Sequence, residues 1–142
     1  MAGSFSDFLE KKVNNLLLGQ GAFTPSAVLY LGLFTDSNNA TQRDAGTVTE
    51  WPAAYVSYAR APVSANGVFF SASGTTAYVS NLSALSFGSA NCSGPVTVSG
   101  FGFFDANSAG NLYHWADLTV PKTINSGDVP TFAIGAIGIT LD

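Results

Sequence analysis

Acid–base chemistry in this chain would have to pass through His114, because the sequence holds one histidine and one cysteine, Cys92. A hydrolase triad needs a nucleophile, a base and an orienting acid. The chain contains no GxSxG, and His114 lies in NLYHWADL, an alternating run that reads as a strand. On that alternation Tyr113 and Trp115 share one face, while Leu112, His114 and Ala116 share the other. The expectation is a strand histidine at a sheet surface or subunit contact, without a catalytic role. Asp105-Ala106-Asn107-Ser108-Ala109-Gly110 opens like a calcium loop, then fails at Ala109 and at Ala116, where a bidentate Glu is required. It reads as a turn. The remaining acids Asp36, Asp44, Glu50, Asp117, Asp128 and Asp142 are isolated, with no paired-carboxylate signature of a glycosidase. Gly19-Gln20-Gly21 and Gly100-Phe101-Gly102 lack the third glycine of a dinucleotide fingerprint and the lysine of a phosphate loop, so both read as turns or strand kinks. A single cysteine forms no intrachain disulfide, and no Cys/His cluster is spaced for zinc. The expected set of catalytic residues, metal ligands and cofactors is therefore empty.

Binding is the other chemistry open to the chain. Trp51, Tyr55, Tyr58, Tyr113 and Trp115 have the ring faces that stack on sugars, but aromatics are also ordinary material of β cores and subunit interfaces, which is the reading adopted. Charged residues are only 10% of the chain and the net charge is −4. The five basic residues, Lys11, Lys12, Arg43, Arg60 and Lys122, are scattered, which excludes a phosphate-neutralising patch and with it nucleic acid. Three Asn-x-Ser/Thr tripeptides begin at Asn39, Asn81 and Asn91, but the first residues have neither the basic start nor the cleavage site of a secretory signal, so these matches carry no weight. No apolar run reaches the about 20 residues of a membrane span; Phe132 to Leu141 is too short and is broken by Gly135 and Gly138. No membrane partner is expected.

The elements that would position these residues follow from periodicity. Ser4 followed by Asp7 has the form of a capping box, and Phe5, Phe8, Leu9, Val13, Leu16 and Leu17 have helical spacing, which predicts a helix over 5–18 closed by Gly19. Its apolar stripe must dock on its own domain or on a neighbour. Ala27 to Thr35 is apolar on both faces and reads as a central strand, and Asp36 to Val48 as a long exposed loop. Short β-like runs follow at 54–60, 67–72, 75–79, 82–87, 95–104, 111–118 and 130–141, separated by turn formers. A hairpin is expected around Asp105–Gly110 and a turn at Asn125-Ser126-Gly127-Asp128. The chain is read as a single mainly β domain over 1–142. Residues 1–20 form an N-terminal helix and turn, and 21–142 an antiparallel β-sandwich of jelly-roll type.

In order, the strings MAGSFSDFLEKKVNNLLLG, LYLGLFTDS, SYARAPV, GFGFFDANSAGNLYHWADLTVPKTINSGD and FAIGAIGITLD cover nearly the whole chain. Together they resemble a family of small virion structural proteins from tailed bacteriophages, of head-decoration or tail-fibre-like type. The resemblance implies a non-enzymatic protein located in the virion and assembled in the host cytoplasm, with other capsid or tail proteins as partners. Low charge and a bare apolar helix agree with a protein completed by assembly, as a homo-oligomer. The expected contact residues are Phe5, Phe8, Leu9, Val13, Leu16, Leu17, Tyr113 and Trp115. The leading expectation is a capsid decoration (cement) protein that binds the shell in many copies. The alternative is a tail-fibre-like or tail-tip protein that meets the host surface, with a host glycan as possible ligand.

Overall fold

The computed structural model describes residues 3–35, 40–51, 58–64, 70–72 and 78–140. The elements run β1 (Gly3–Phe5), α1 (Asp7–Leu17), β2 (Val28–Phe34), α2 (Ala40–Asp44), β3 (Ala61–Ser64), β4 (Phe70–Ala72) and β5 (Tyr78–Asn81). They continue with β6 (Leu85–Ser86), β7 (Val96–Phe104), β8 (Leu112–Ile124), β9 (Thr131–Phe132) and β10 (Gly138–Thr140). The fold is mainly β. Among the described residues the strands form open antiparallel sheets, of which the largest has the order β1-β8-β7-β2-β3. Two smaller sheets have the orders β10-β5-β4 and β6-β9. No described helix is long and apolar enough to cross a membrane.

β2 is the interior strand that the apolar run predicts, with Leu31, Leu33 and Phe34 all buried. Its alternation divides the large sheet into two faces. Leu31 and Leu33 join Phe101 and Phe103 of β7 and Ala116 of β8 in the main core, which Leu85, Phe87 and Ile137 close from the other sheets and loops. Phe34, Phe104, Leu112 and Trp115 form a second buried cluster. On that second side the backbone is bare at Gly32, Gly100 and Gly102. A Cβ on Gly102 would lie 2.8 Å from the His114 carbonyl and 2.7 Å from the Phe34 ring. One on Gly100 would lie 2.8 Å from the Ala116 carbonyl and against the Arg43 guanidinium. The glycines are there for close approach.

Several boundaries depart from the sequence reading, each for a local reason. The helix begins at Asp7, because Ser6 rather than Ser4 is the N-cap and its Oγ accepts from the Leu9 amide, while Phe5 belongs to β1. The helix closes as predicted at Gly19, which has φ 66°, with Gln20 N–H donating to Asn15 O and Gly19 N–H to Leu16 O. The exposed loop expected at 36–48 contains a second helix, α2, and Arg43 within it is only 1% exposed. Its guanidinium pairs with Asp117 and lies between the rings of Phe34 and Trp115, at 5.3 and 5.6 Å from their centroids. The run at 111–118 continues as a strand to Ile124, since β7 pairs with it as far as Val96. The final run at 130–141 is split into β9 and β10 by a turn containing Gly135 at φ 72°. The run at 82–87 contracts to β6. Residues 36–39 of the expected loop, and 54–57, 67–69, 73–77 and 141–142, lie outside the described residues.

Asn81 shows how the small sheets are tied. It is fully buried, its Nδ2 donates to Ser83 O at 2.8 Å and Ala133 O at 2.9 Å, and its Oδ1 accepts from the Ile137 amide at 2.9 Å. The side chain adds to the backbone bonds that Asn81 makes with Ile137 and Gly135 where the last run is broken. The two predicted turns form as expected: Asp105 Oδ1 and Oδ2 accept from the Asn111 amide and Nδ2, and Asp128 Oδ2 accepts from the Asn125 amide.

The glycine contacts generate a graded test. Gly102→Ala and Gly100→Ala push a methyl against fixed carbonyls and should each destabilise by about 1–3 kcal/mol. Gly21→Ala, which meets nothing within 4 Å, should change stability by under about 0.5 kcal/mol. Urea titrations of the three variants check this ordering.

Candidate functional site

The residues nominated by the sequence divide into three places. Phe5, Phe8 and Tyr113 come together with Phe23 where the N-terminal arm meets β8. Phe8 stacks on Tyr113 at 5.8 Å, Phe23 packs against Tyr113 at 5.9 Å with its ring tilted, and Phe5 meets His114 edge-on at 5.6 Å. Backbone and cap fix the arm: Ser6 N–H donates to Tyr113 O at 3.0 Å and Ser6 Oγ donates to Leu112 O. Leu9 and Val13 are half-buried on the same side of α1. Trp115 lies elsewhere, 4% exposed in the second cluster, its Nε1 donating to Asp44 at 2.8 Å.

Leu16 and Leu17 fall in the third place, the last turn of α1. The helix has no buried residue, and Leu16, Leu17 and the adjoining Leu18 are 51%, 76% and 72% exposed. The first turns of α1 rest on Tyr113 while its end projects with three leucines uncovered. Sequence reasoning missed Leu18, which directly follows the counted stripe, and Phe23, whose isolation in the GAFTPS stretch gave no periodic signal.

The predicted aromatic face of β8 is rearranged. The pairing slips between Phe103 and Phe104, so that His114 stands opposite Phe103 while Leu112 stands opposite Phe104. The extra residue at Tyr113 moves Leu112 to the side of Trp115 and turns Tyr113 toward the arm. A bulge of this kind has no sequence signature in NLYHWADL. Trp51 is likewise interior, 4% exposed and stacked on Tyr58 at 5.8 Å, and Tyr58 stacks in turn on Phe87. Tyr55 lies outside the described residues.

His114 is buried, with Nδ1 finding no hydrogen-bond partner among the described residues. It is therefore held inside the chain rather than at the sheet surface that the alternation suggested. Burial pulls its pKa down from 6.5 to about 4. Burial first and the Glu50 carboxylate second push the Tyr58 phenol far above its ordinary value. Tyr58 Oη donates to Glu50 at 2.6 Å and accepts from the Leu33 amide at 2.9 Å. Glu50 also takes a two-pronged contact from Arg60 at 2.9 and 2.8 Å, and Arg60 Nη1 donates to the Ala106 and Ala109 carbonyls of the β7–β8 turn. These polar groups brace the sheet. No group of three or more potential metal ligands occurs among the described residues.

The fold and this surface define a small antiparallel β protein with an appended, partly uncovered N-terminal helix. The chain belongs to the family described as podophage GP4 fiber I protein gp80, which matches residues 4–140. The resemblance to tailed-phage virion structural proteins is thereby established, and the chain is a phage virion component. No curated protein matches it.

The His114 environment sets a pH dependence. Because the folded value lies below the unfolded one, the stability is fully present above pH 6.5 and is lost as pH falls from there toward 4. The loss from this residue should be roughly 3 kcal/mol. His114→Gln, which cannot titrate, should flatten that part of a Tm-against-pH curve measured beside the native chain.

Proposed function

We propose that this chain is a non-enzymatic fibre component of a podophage-type tail, held there by contacts with other virion proteins and with copies of itself. The observation that carries the proposal is the family match across residues 4–140, which names a fibre protein and so favours the tail over the capsid decoration expected first. The bare leucine end of α1 supports a role completed by assembly, since a lone apolar cluster at 51–76% exposure costs free energy until it is covered. Phe8, Tyr113 and Phe5 fix the arm that carries this cluster, whereas Leu16 and Leu17 are its contact residues. Trp51 and Trp115 are enclosed by their own chain and support no glycan platform.

Electron microscopy of particles in which this chain carries a compact label tests the assignment. The expected outcome is label on projections of the tail. Label spread over the capsid lattice would return the protein to the decoration class.

A further inference from the structure

The large sheet leaves an apolar groove open beside the outer half of β8. Its volume is about 560 Å³; Leu33 and Val98 lie at its floor, Leu118, Val120 and Phe132 along its walls, and Lys122 beside them. That size is within the roughly 300–1,000 Å³ of sites that hold a compact apolar group. Val120 is 60% exposed, so the wall faces solvent in the single chain.

We propose that the leucine end of α1 from a second copy of this chain seats in this groove. Three observations select that occupant. Leu16, Leu17 and Leu18 form a compact apolar knob, exposed in the isolated chain, that matches the groove in character. The last turn of α1 carries no basic residue, so the partial negative charge of the helix C-terminus has no cation within its own helix. Lys122, exposed at the groove, supplies one. Knob and groove do not meet within one chain, because α1 rests on the Leu112–Trp115 end of β8 whereas the groove runs along Leu118–Ile124.

The contact uses a different surface on each partner, so it joins copies head to tail in a ring or filament, or reciprocally in a two-fold pair where each knob fills the other copy's groove. Each contact is small, and a second contact in a closed assembly adds to the strength that one knob already supplies. The proposal concerns how copies join, and its test uses the purified full chain, so its failure leaves the tail-fibre assignment standing.

Complementation between two variants tests it by sedimentation. Leu17→Ser combined with Leu18→Ser removes the knob, and Val120→Asp blocks the groove. All three positions are exposed, so thermal melts should match the native chain and confirm folding. The native chain should self-associate, and each variant alone should do so at least tenfold more weakly. An equimolar mixture should form a dimer more strongly than either variant alone and more weakly than the native chain associates, since one intact knob then faces one intact groove. Lys122→Glu should weaken association similarly, and adding Asn14→Lys in the last turn of α1 should restore it. A native chain that stays monomeric up to about 1 mM would overturn the proposal. So would a mixture that associates no more than either variant alone, or a Val120→Asp variant that self-associates like the native chain, which would indicate knob-to-knob pairing instead.

Discussion

A guanidinium laid on bare backbone is the constraint from which the rest of this molecule follows. Arg43 reaches the large sheet only because Gly100 offers no side chain, and it stays there between Phe34 and Trp115 with Asp117 and Ser99 as partners. One side chain thereby joins α2, β2, β7 and β8. Asp44, the next residue, accepts from Trp115 and fixes the same C-terminal end of α2. Gly32 and Gly102 extend the same bare strip, admitting Glu50 and Phe104 to one and Leu112 and Phe34 to the other. Arg60, 3.4 Å above the Phe104 ring, repeats the device and carries it to the β7–β8 turn.

This use of charge explains the composition. Of the five basic residues, Arg43 and Arg60 serve the interior, which leaves Lys11, Lys12 and Lys122 as the surface cations. A surface with so few charges gives little repulsion between copies, and among the described residues the end of α1 and the groove along β8 are uncovered and apolar. Among the described residues the β scaffold is held by its own strand ladders and by two buried apolar clusters. The N-terminal arm is held by β1 pairing, the Ser6 contacts and the Phe8–Tyr113–Phe23 stack, and presents what the scaffold does not cover. That division between a braced sheet and an uncovered helix end fits a family whose members act within a virion.

Much of the sheet was legible because period-two alternation and turn chemistry are local. The β2 run, the β7–β8 hairpin and the Asn125–Asp128 turn all follow from neighbouring residues. So does the closure of α1 at Gly19, whereas its start moved from Ser4 to Ser6 because a long-range contact with Leu112 decides which serine caps. What could not be read depends on distant partners. Polar residues of the 36–48 stretch suggested an exposed loop, yet Arg43 is buried by Asp117, which lies more than seventy positions away. The bulge at Tyr113 moves Leu112 to the face of Trp115 and turns Tyr113 toward the arm, and no residue type announces a bulge. The arm was legible as an unsatisfied apolar stripe, although the stripe is uncovered mainly at its last turn, because only its first turns find Tyr113.

Amide hydrogen exchange followed by mass spectrometry, on the isolated chain and on the assembled virion component, tests the central claim that the Arg43 node closes the sheet while the helix end waits for a partner. In the isolated chain, peptides spanning residues 40–46 should exchange as slowly as β7 and β8, since opening α2 means breaking the node they share, and peptides spanning 15–22 should exchange fast. In the assembly the 15–22 peptides should become protected and the sheet should change little. Fast exchange of 40–46 beside a protected β7–β8 pair would contradict the account, as would a helix end equally protected before and after assembly.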